Sequence, residues 1–157
     1  DFIQKSGIVM ANVAILQAPT GSRLYERLRQ EGRLLGQMLF DVAYGSTNFV
    51  STMDIATLRE GYKDIMRNIY SPEHYYQRVK TFLREYKPPK IVTRLNFEDI
   101  LSFFRSIYHL GILGKERVHY WRLLLWTCFH RPKLFPLAIK LAIYGHHYRK
   151  VTELHIL

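Results

Sequence analysis

Between residues 8 and 16 the chain runs Ile8-Val9-Met10-Ala11-Asn12-Val13-Ala14-Ile15-Leu16, with Asn12 as the one polar break. A stretch that is apolar on both faces predicts a strand with neighbours on either side and layers above and below it. Gln17-Ala18-Pro19-Thr20-Gly21-Ser22 follows as a loop, and then a basic amphipathic segment ends at Arg33. Thr20 or Ser22 can cap a helix over 22–31, because a side-chain oxygen there accepts from the free first-turn amides. Gly32 suits a left-handed stop. Leu24, Tyr25 and Leu28 give that helix its apolar stripe. No other stretch has the strand pattern. The chain is therefore expected to open inside the last strand–helix unit of an α/β domain.

From residue 54 the period becomes helical and stays so. Asp54 caps a helix to about Tyr70, striped by Ile55, Leu58, Tyr62, Ile65 and Ile69. Ser71-Pro72 places a cap before a first-turn proline and starts a helix to about Tyr86. Pro88-Pro89 ends it as a stiff linker. Asn96 caps a helix that Gly111 stops. Residues 115–130 form a fourth, apolar nearly all round between Trp121 and Phe129, a pattern that predicts a central buried helix. Arg131-Pro132 breaks it, and the last helix runs from about Lys133 to Glu153 with Pro136 in its first turn. Residues 34–53 lie between the two patterns as a crossover.

The expected fold is mainly α. A bundle of about five helices is preceded by one strand–helix unit left over from an α/β barrel. The expected domains are 1–35, a crossover at 36–53, and a helical domain at 54–157.

Charge changes this picture in one respect. The chain of 157 residues carries a net +10, unevenly placed. Residues 1–86 hold 11 Lys/Arg against 9 Asp/Glu, and residues 87–157 hold 12 against 4. The second half therefore fits a nucleic-acid surface, an anionic membrane surface, a face docked on an acidic neighbour, or a simply solvated basic domain. The basic residues stand singly, without a run of like charge.

Candidate chemistry is sparse. Cys128 is the one cysteine, in an apolar run, and is expected as a buried core thiol. It excludes an internal disulfide and a cysteine-ligated cluster, and it fits a reducing cytoplasm. No apolar run reaches the ~18–20 residues that cross a bilayer, so a soluble, cytoplasmic chain without a transmembrane segment is expected. His146 and His147 are adjacent and diverge on a helix, and His119 and His130 are about three turns apart. No HExxH, P-loop, GxGxxG or nucleophile elbow is present. The loop from Gln17 to Ser22 has the one active-site placement, after a strand and before a helix N-terminus, where ligands of α/β folds gather.

The run Ala14-Ile15-Leu16-Gln17-Ala18-Pro19-Thr20-Gly21-Ser22-Arg23-Leu24-Tyr25-Glu26-Arg27-Leu28 resembles the last strand and helix of the radical S-adenosylmethionine (SAM) barrel of cobalamin-binding radical SAM proteins. Tyr70-Ser71-Pro72-Glu73-His74-Tyr75-Tyr76, Arg78-Val79 and Ala142-Ile143-Tyr144-Gly145-His146-His147-Tyr148-Arg149 resemble the uncharacterised helical domain that follows the barrel in one branch, which includes hopanoid-methylating enzymes. The resemblance implies a parent enzyme with a [4Fe–4S] cluster, SAM and cobalamin. The cluster-binding CxxxCxxC is absent here, so no cofactor is expected within this chain and no catalysis by it alone.

The resemblance implies a C-terminal accessory region, for substrate recognition or as a lid. Its expected partners are the upstream barrel and the cobalamin domain of the same parent, or a second copy paired through the strand. By position, Leu16, Gln17, Ala18 and Thr20 would lie at the SAM edge, and Tyr44, Asn48 and Phe49 would face substrate or form an ordered linker. The alternative is a basic helical module that binds nucleic acid or an acidic protein.

Overall fold

The structure is a computed structural model and describes residues 2–36, 46–88 and 97–155. Among them are seven α-helices: α1 (Phe2–Ser6), α2 (Arg23–Gln30), α3 (Ile55–Tyr70), α4 (Pro72–Glu85), α5 (Phe97–Ser106), α6 (Arg117–His130) and α7 (Phe135–His155). A π-helical turn, Ile107–Ile112, extends α5, and a 3₁₀ turn, Pro132–Leu134, precedes α7. The chain packs as two compact units, residues 1–11 with 68–151 and residues 12–67 with 152–157.

The mainly helical expectation holds, but the strand does not. Among the described residues there is no strand, and the sole β-pairing is an isolated antiparallel bridge between Leu34 and Phe49. Residues 8–19 have no regular secondary structure. The physical reason is the lack of a partner ladder: the segment's carbonyls are met by side chains instead. Arg78 donates to the carbonyls of Ile8 (3.0 Å) and Val9 (3.5 Å), and the Tyr70 hydroxyl donates to that of Ala11 (2.8 Å). In the other unit the Tyr62 hydroxyl donates to the carbonyl of Val13 (3.2 Å). A leftover strand–helix unit is therefore not what the N-terminal residues form.

The helix punctuation follows the sequence. Ser22 Oγ accepts from the amide of Tyr25 (3.1 Å) and starts α2. At its end Gly32 has φ +65°, and the amides of Gly32 and Arg33 reach back to the carbonyls of Arg29 and Leu28. That paired closure is a Schellman motif, which a side chain at Gly32 would strain. Asp54 accepts from the amide of Thr57 (3.0 Å) at the head of α3, and Ser71 with Pro72 starts α4.

Two expectations about α6 are corrected. It is not buried all round: Tyr120, Leu123, Leu124 and Thr127 are buried, whereas Val118, Trp121, Leu125 and Phe129 are exposed. Cys128 is exposed rather than a core thiol. At 100° per residue the two apolar sets lie on opposite sides of the helix, so only one of them can face the core. Gly111 also does not stop its helix. The π-helical turn runs through it, and Trp121 Nε1 donates to its carbonyl (3.1 Å).

In the larger unit α4 supplies the centre, with Tyr75, Val79 and Leu83 fully buried. Gly145 of α7 sits directly on Tyr75, since a Cβ there would come within 2.2 Å of the ring. The Tyr75 hydroxyl donates to the carbonyl of Leu141 (2.7 Å), and Tyr70 stacks on Tyr148 at 5.4 Å. The two segments that carry the family resemblance in this domain are thus packing partners of each other.

Candidate functional site

The sequence points first to the loop after residue 16. In the structure Asn48 is buried and its amide is paired with the backbone of Ala18. Oδ1 accepts from the Ala18 amide (2.8 Å), and Nδ2 donates to the Ala18 carbonyl (2.9 Å). This is the pair of bonds that a neighbouring strand would make, supplied by one side chain. Gln17 Nε2 donates to the carbonyl of Ser46 (3.3 Å). Backbone bonds from the Leu35 amide to the Asn48 carbonyl (2.8 Å) and from the Val50 amide to the Arg33 carbonyl (2.8 Å) tie the 46–50 stretch to residues 33–35 as well.

Of the sequence-proposed residues, Gln17 and Ala18 are thus brought to Ser46 and Asn48. Leu16 and Thr20 are exposed, Phe49 is half-buried and bridges to Leu34, and Tyr44 lies outside the described residues. Two polar atoms here are buried without a hydrogen-bond partner, Gln17 Oε1 and Thr47 Oγ1. Such atoms cost free energy unless something else meets them.

A second place was not foreseen. In the larger unit α5 and α7 enclose an open cleft of ≈ 360 Å³. Ile100, Phe103, Phe135, Ile139 and Ile143 give it apolar walls, and Ser102, Lys140 and Tyr144 supply the polar groups. Its size is that of a small-ligand site, and its lining favours a hydrocarbon surface with little polar recognition. The signal in the sequence was the apolar stripe of the last helix, which equally describes core.

A third cluster is buried in the same unit. Glu116, 1% exposed, pairs with His146 Nδ1 (2.7 Å) and with the Arg149 guanidinium. Arg149 Nε also donates to the carbonyl of Tyr70 (3.0 Å). Beside them the Tyr76 hydroxyl is buried without a partner, and burial pushes its ionisation well above the ordinary tyrosine range. It stays protonated. Sequence reasoning missed Glu116, although it is the only carboxylate between Ile100 and Val151. Arg78 is equally buried and has the neutral acceptors Ile8, Val9, Ile69 and Gln4, so burial lowers its pKa. Among the described residues no group of three or more His, Cys, Asp and Glu side chains could hold a metal ion.

Residues 22–156 match the family described as Domain of unknown function (DUF4070). The chain belongs to that family. This DUF4070 chain is also similar to two curated proteins. One, named an uncharacterized methyltransferase, from Synechocystis, is 24% identical over 98% of this chain and 29% of its own length. The other, named hopanoid C-2 methylase, from Rhodopseudomonas palustris, is 26% identical over 79% of this chain and 24% of its own length. The chain thus spans less than a third of either relative. No solved structure matches it.

Proposed function

We propose that this chain acts as the substrate-recognition region of a longer radical SAM methyltransferase whose substrate is largely hydrocarbon. The apolar cleft between α5 and α7 carries this reading. The relatives' names support it: both are methylating enzymes, and one is named for a hopanoid, a lipid with a fused-ring hydrocarbon skeleton. A rigid ring system gives up little conformational entropy on binding and offers its cleft mostly apolar surface, which suits walls of Ile and Phe.

The residues present do not fit an iron–sulfur cluster. One exposed cysteine cannot replace three thiolate ligands, so the cluster, SAM cleavage and any cobalamin chemistry belong to other parts of the parent protein. At the proposed SAM edge, Ala18 has already given its amide and carbonyl to Asn48. Gln17 Oε1 and Thr47 Oγ1 are the polar atoms left for a bound group or a neighbouring segment to meet.

The test is binding of a pentacyclic triterpene, carried in cyclodextrin, to the chain. Saturable binding that Ile143→Arg weakens roughly tenfold or more is expected, because a charge in the apolar wall must be desolvated. Absence of saturable binding, or equal binding by the variant, would remove the recognition role. Reconstitution of an iron–sulfur cluster on the chain alone would overturn the accessory role.

A further inference from the structure

The exposed side of α6 has a pattern that the core does not explain. Val118, Trp121, Leu125 and Phe129 are 53%, 40%, 56% and 80% exposed. Their spacings of three, four and four residues set them within an arc of about 80° on one side of the helix. The turn that leads into α6 adds Ile112 and Leu113, also exposed. An apolar line of this kind on a water-facing helix calls for a covering surface.

Charge says what covers it. Between Ile100 and Val151 the sequence has nine Lys and Arg and a single carboxylate, Glu116. Glu116 is buried and already paired with His146 and Arg149. Exposed Arg122 lies beside the apolar line, with Lys115 and Arg117 at its N-terminal end. A second copy of the same face would bring like charges together. A polyanionic surface would not, and no carboxylate of this stretch is exposed to repel it.

We infer that α6 docks the protein on an anionic lipid surface, with Trp121, Leu125 and Phe129 entering the headgroup boundary and Lys115, Arg117 and Arg122 meeting lipid phosphates. Trp, Phe and Leu beside Arg and Lys is the composition that suits a helix lying in a membrane interface. Spanning is not involved, since no helix among the described residues is long and apolar enough to cross a membrane. The cleft between α5 and α7 is a separate feature, and this docking stands whether or not that cleft binds substrate.

The experiment is flotation of the full chain with vesicles of phosphatidylcholine alone and with about a third phosphatidylglycerol. Binding to the anionic vesicles only, weakened by salt, is expected. Leu125→Ser with Phe129→Ser should reduce it roughly tenfold or more, with helical content unchanged because both side chains are already in water. Arg122→Glu should weaken it as well. In a Trp126→Phe background, the emission of Trp121 should shift to the blue with anionic vesicles only. Equal binding to both vesicle types, no binding to either, or full binding by the Leu125/Phe129 variant would overturn the inference. Capture of an acidic helical peptide by the same residues without vesicle binding would overturn it in favour of a protein partner.

Discussion

The two compact units solve the same problem by different means. In the larger one, long helices bring distant residues together through big side chains. Tyr70, Tyr75 and Tyr148 stack, and Gly145 makes room for the Tyr75 ring. Buried Arg78 and Glu116 are surrounded by partners. In the smaller unit, short stretches meet through the backbone, and a side-chain amide stands in for a missing strand, Asn48 on Ala18. The difference teaches where a single substitution should cost most. In the larger unit it would strand a buried charge or crowd a ring, and in the smaller it would remove one cap or one hydrogen bond.

The strongest test of that contrast is Glu116→Gln. The variant puts a neutral amide at the buried end of the cluster and leaves the half-buried Arg149 without its counter-charge, and breaking a buried pair on one side costs about 3–5 kcal/mol. Urea unfolding of the chain should show that loss, and Arg149→Met added to Glu116→Gln should return part of it. A cost no larger than that of an exposed pair such as Arg67 with Asp64 would mean that the larger unit does not depend on its buried charges.

Gly145→Ala is expected to come next, with a sign that decides between two effects. In an ordinary helix interior the change stabilises by about 1 kcal/mol. Here the new Cβ would lie 2.2 Å from Tyr75 Cε1 and 2.6 Å from Cδ1, so overpacking of about 1–3 kcal/mol opposes it. A lowered melting temperature is expected, and Tyr75→Leu should blunt the effect of the alanine. A raised one would show that α7 and α4 can part without loss.

Much of the helical scaffold was legible in the sequence because caps and prolines act locally. Ser22, Gly32, Asp54, Ser71 and Pro72 each do in the structure what their chemistry implies. The strand expected at residues 8–16 does not form, for a complementary reason. An apolar run tells of burial, but a strand also needs a partner ladder, and here Arg78, Tyr70 and Tyr62 take the carbonyls. On α6 the apolar positions were visible and the face they occupy was not, because residues on both sides of the helix are hydrophobic. At the candidate site, the meeting of Gln17 and Ala18 with Ser46 and Asn48 depends on the path of the chain over thirty residues, which no local pattern encodes. The pairing of Glu116 with His146 and Arg149 is of the same kind.

The smallest effect belongs to the smaller unit. Asp54 is fully exposed at the head of α3, and its carboxylate is held below the ordinary pKa of 3.8, chiefly by the amide of Thr57. Bonds from backbone amides favour the charged form, so folding and ionisation support each other. The sign follows from linkage. The folded-state pKa is depressed, so the contribution is complete above the unfolded value and is lost as pH falls through the folded one. Asp54→Ala should therefore lower the melting temperature slightly at neutral pH and lose its effect in acid, once the pH has fallen through that depressed pKa. Asp54→Asn should keep most of the stability at both, because an amide oxygen caps nearly as well as a carboxylate. A loss for Asp54→Ala as large as that for Glu116→Gln would break the contrast between the units, since an exposed cap would then matter as much as a buried charge.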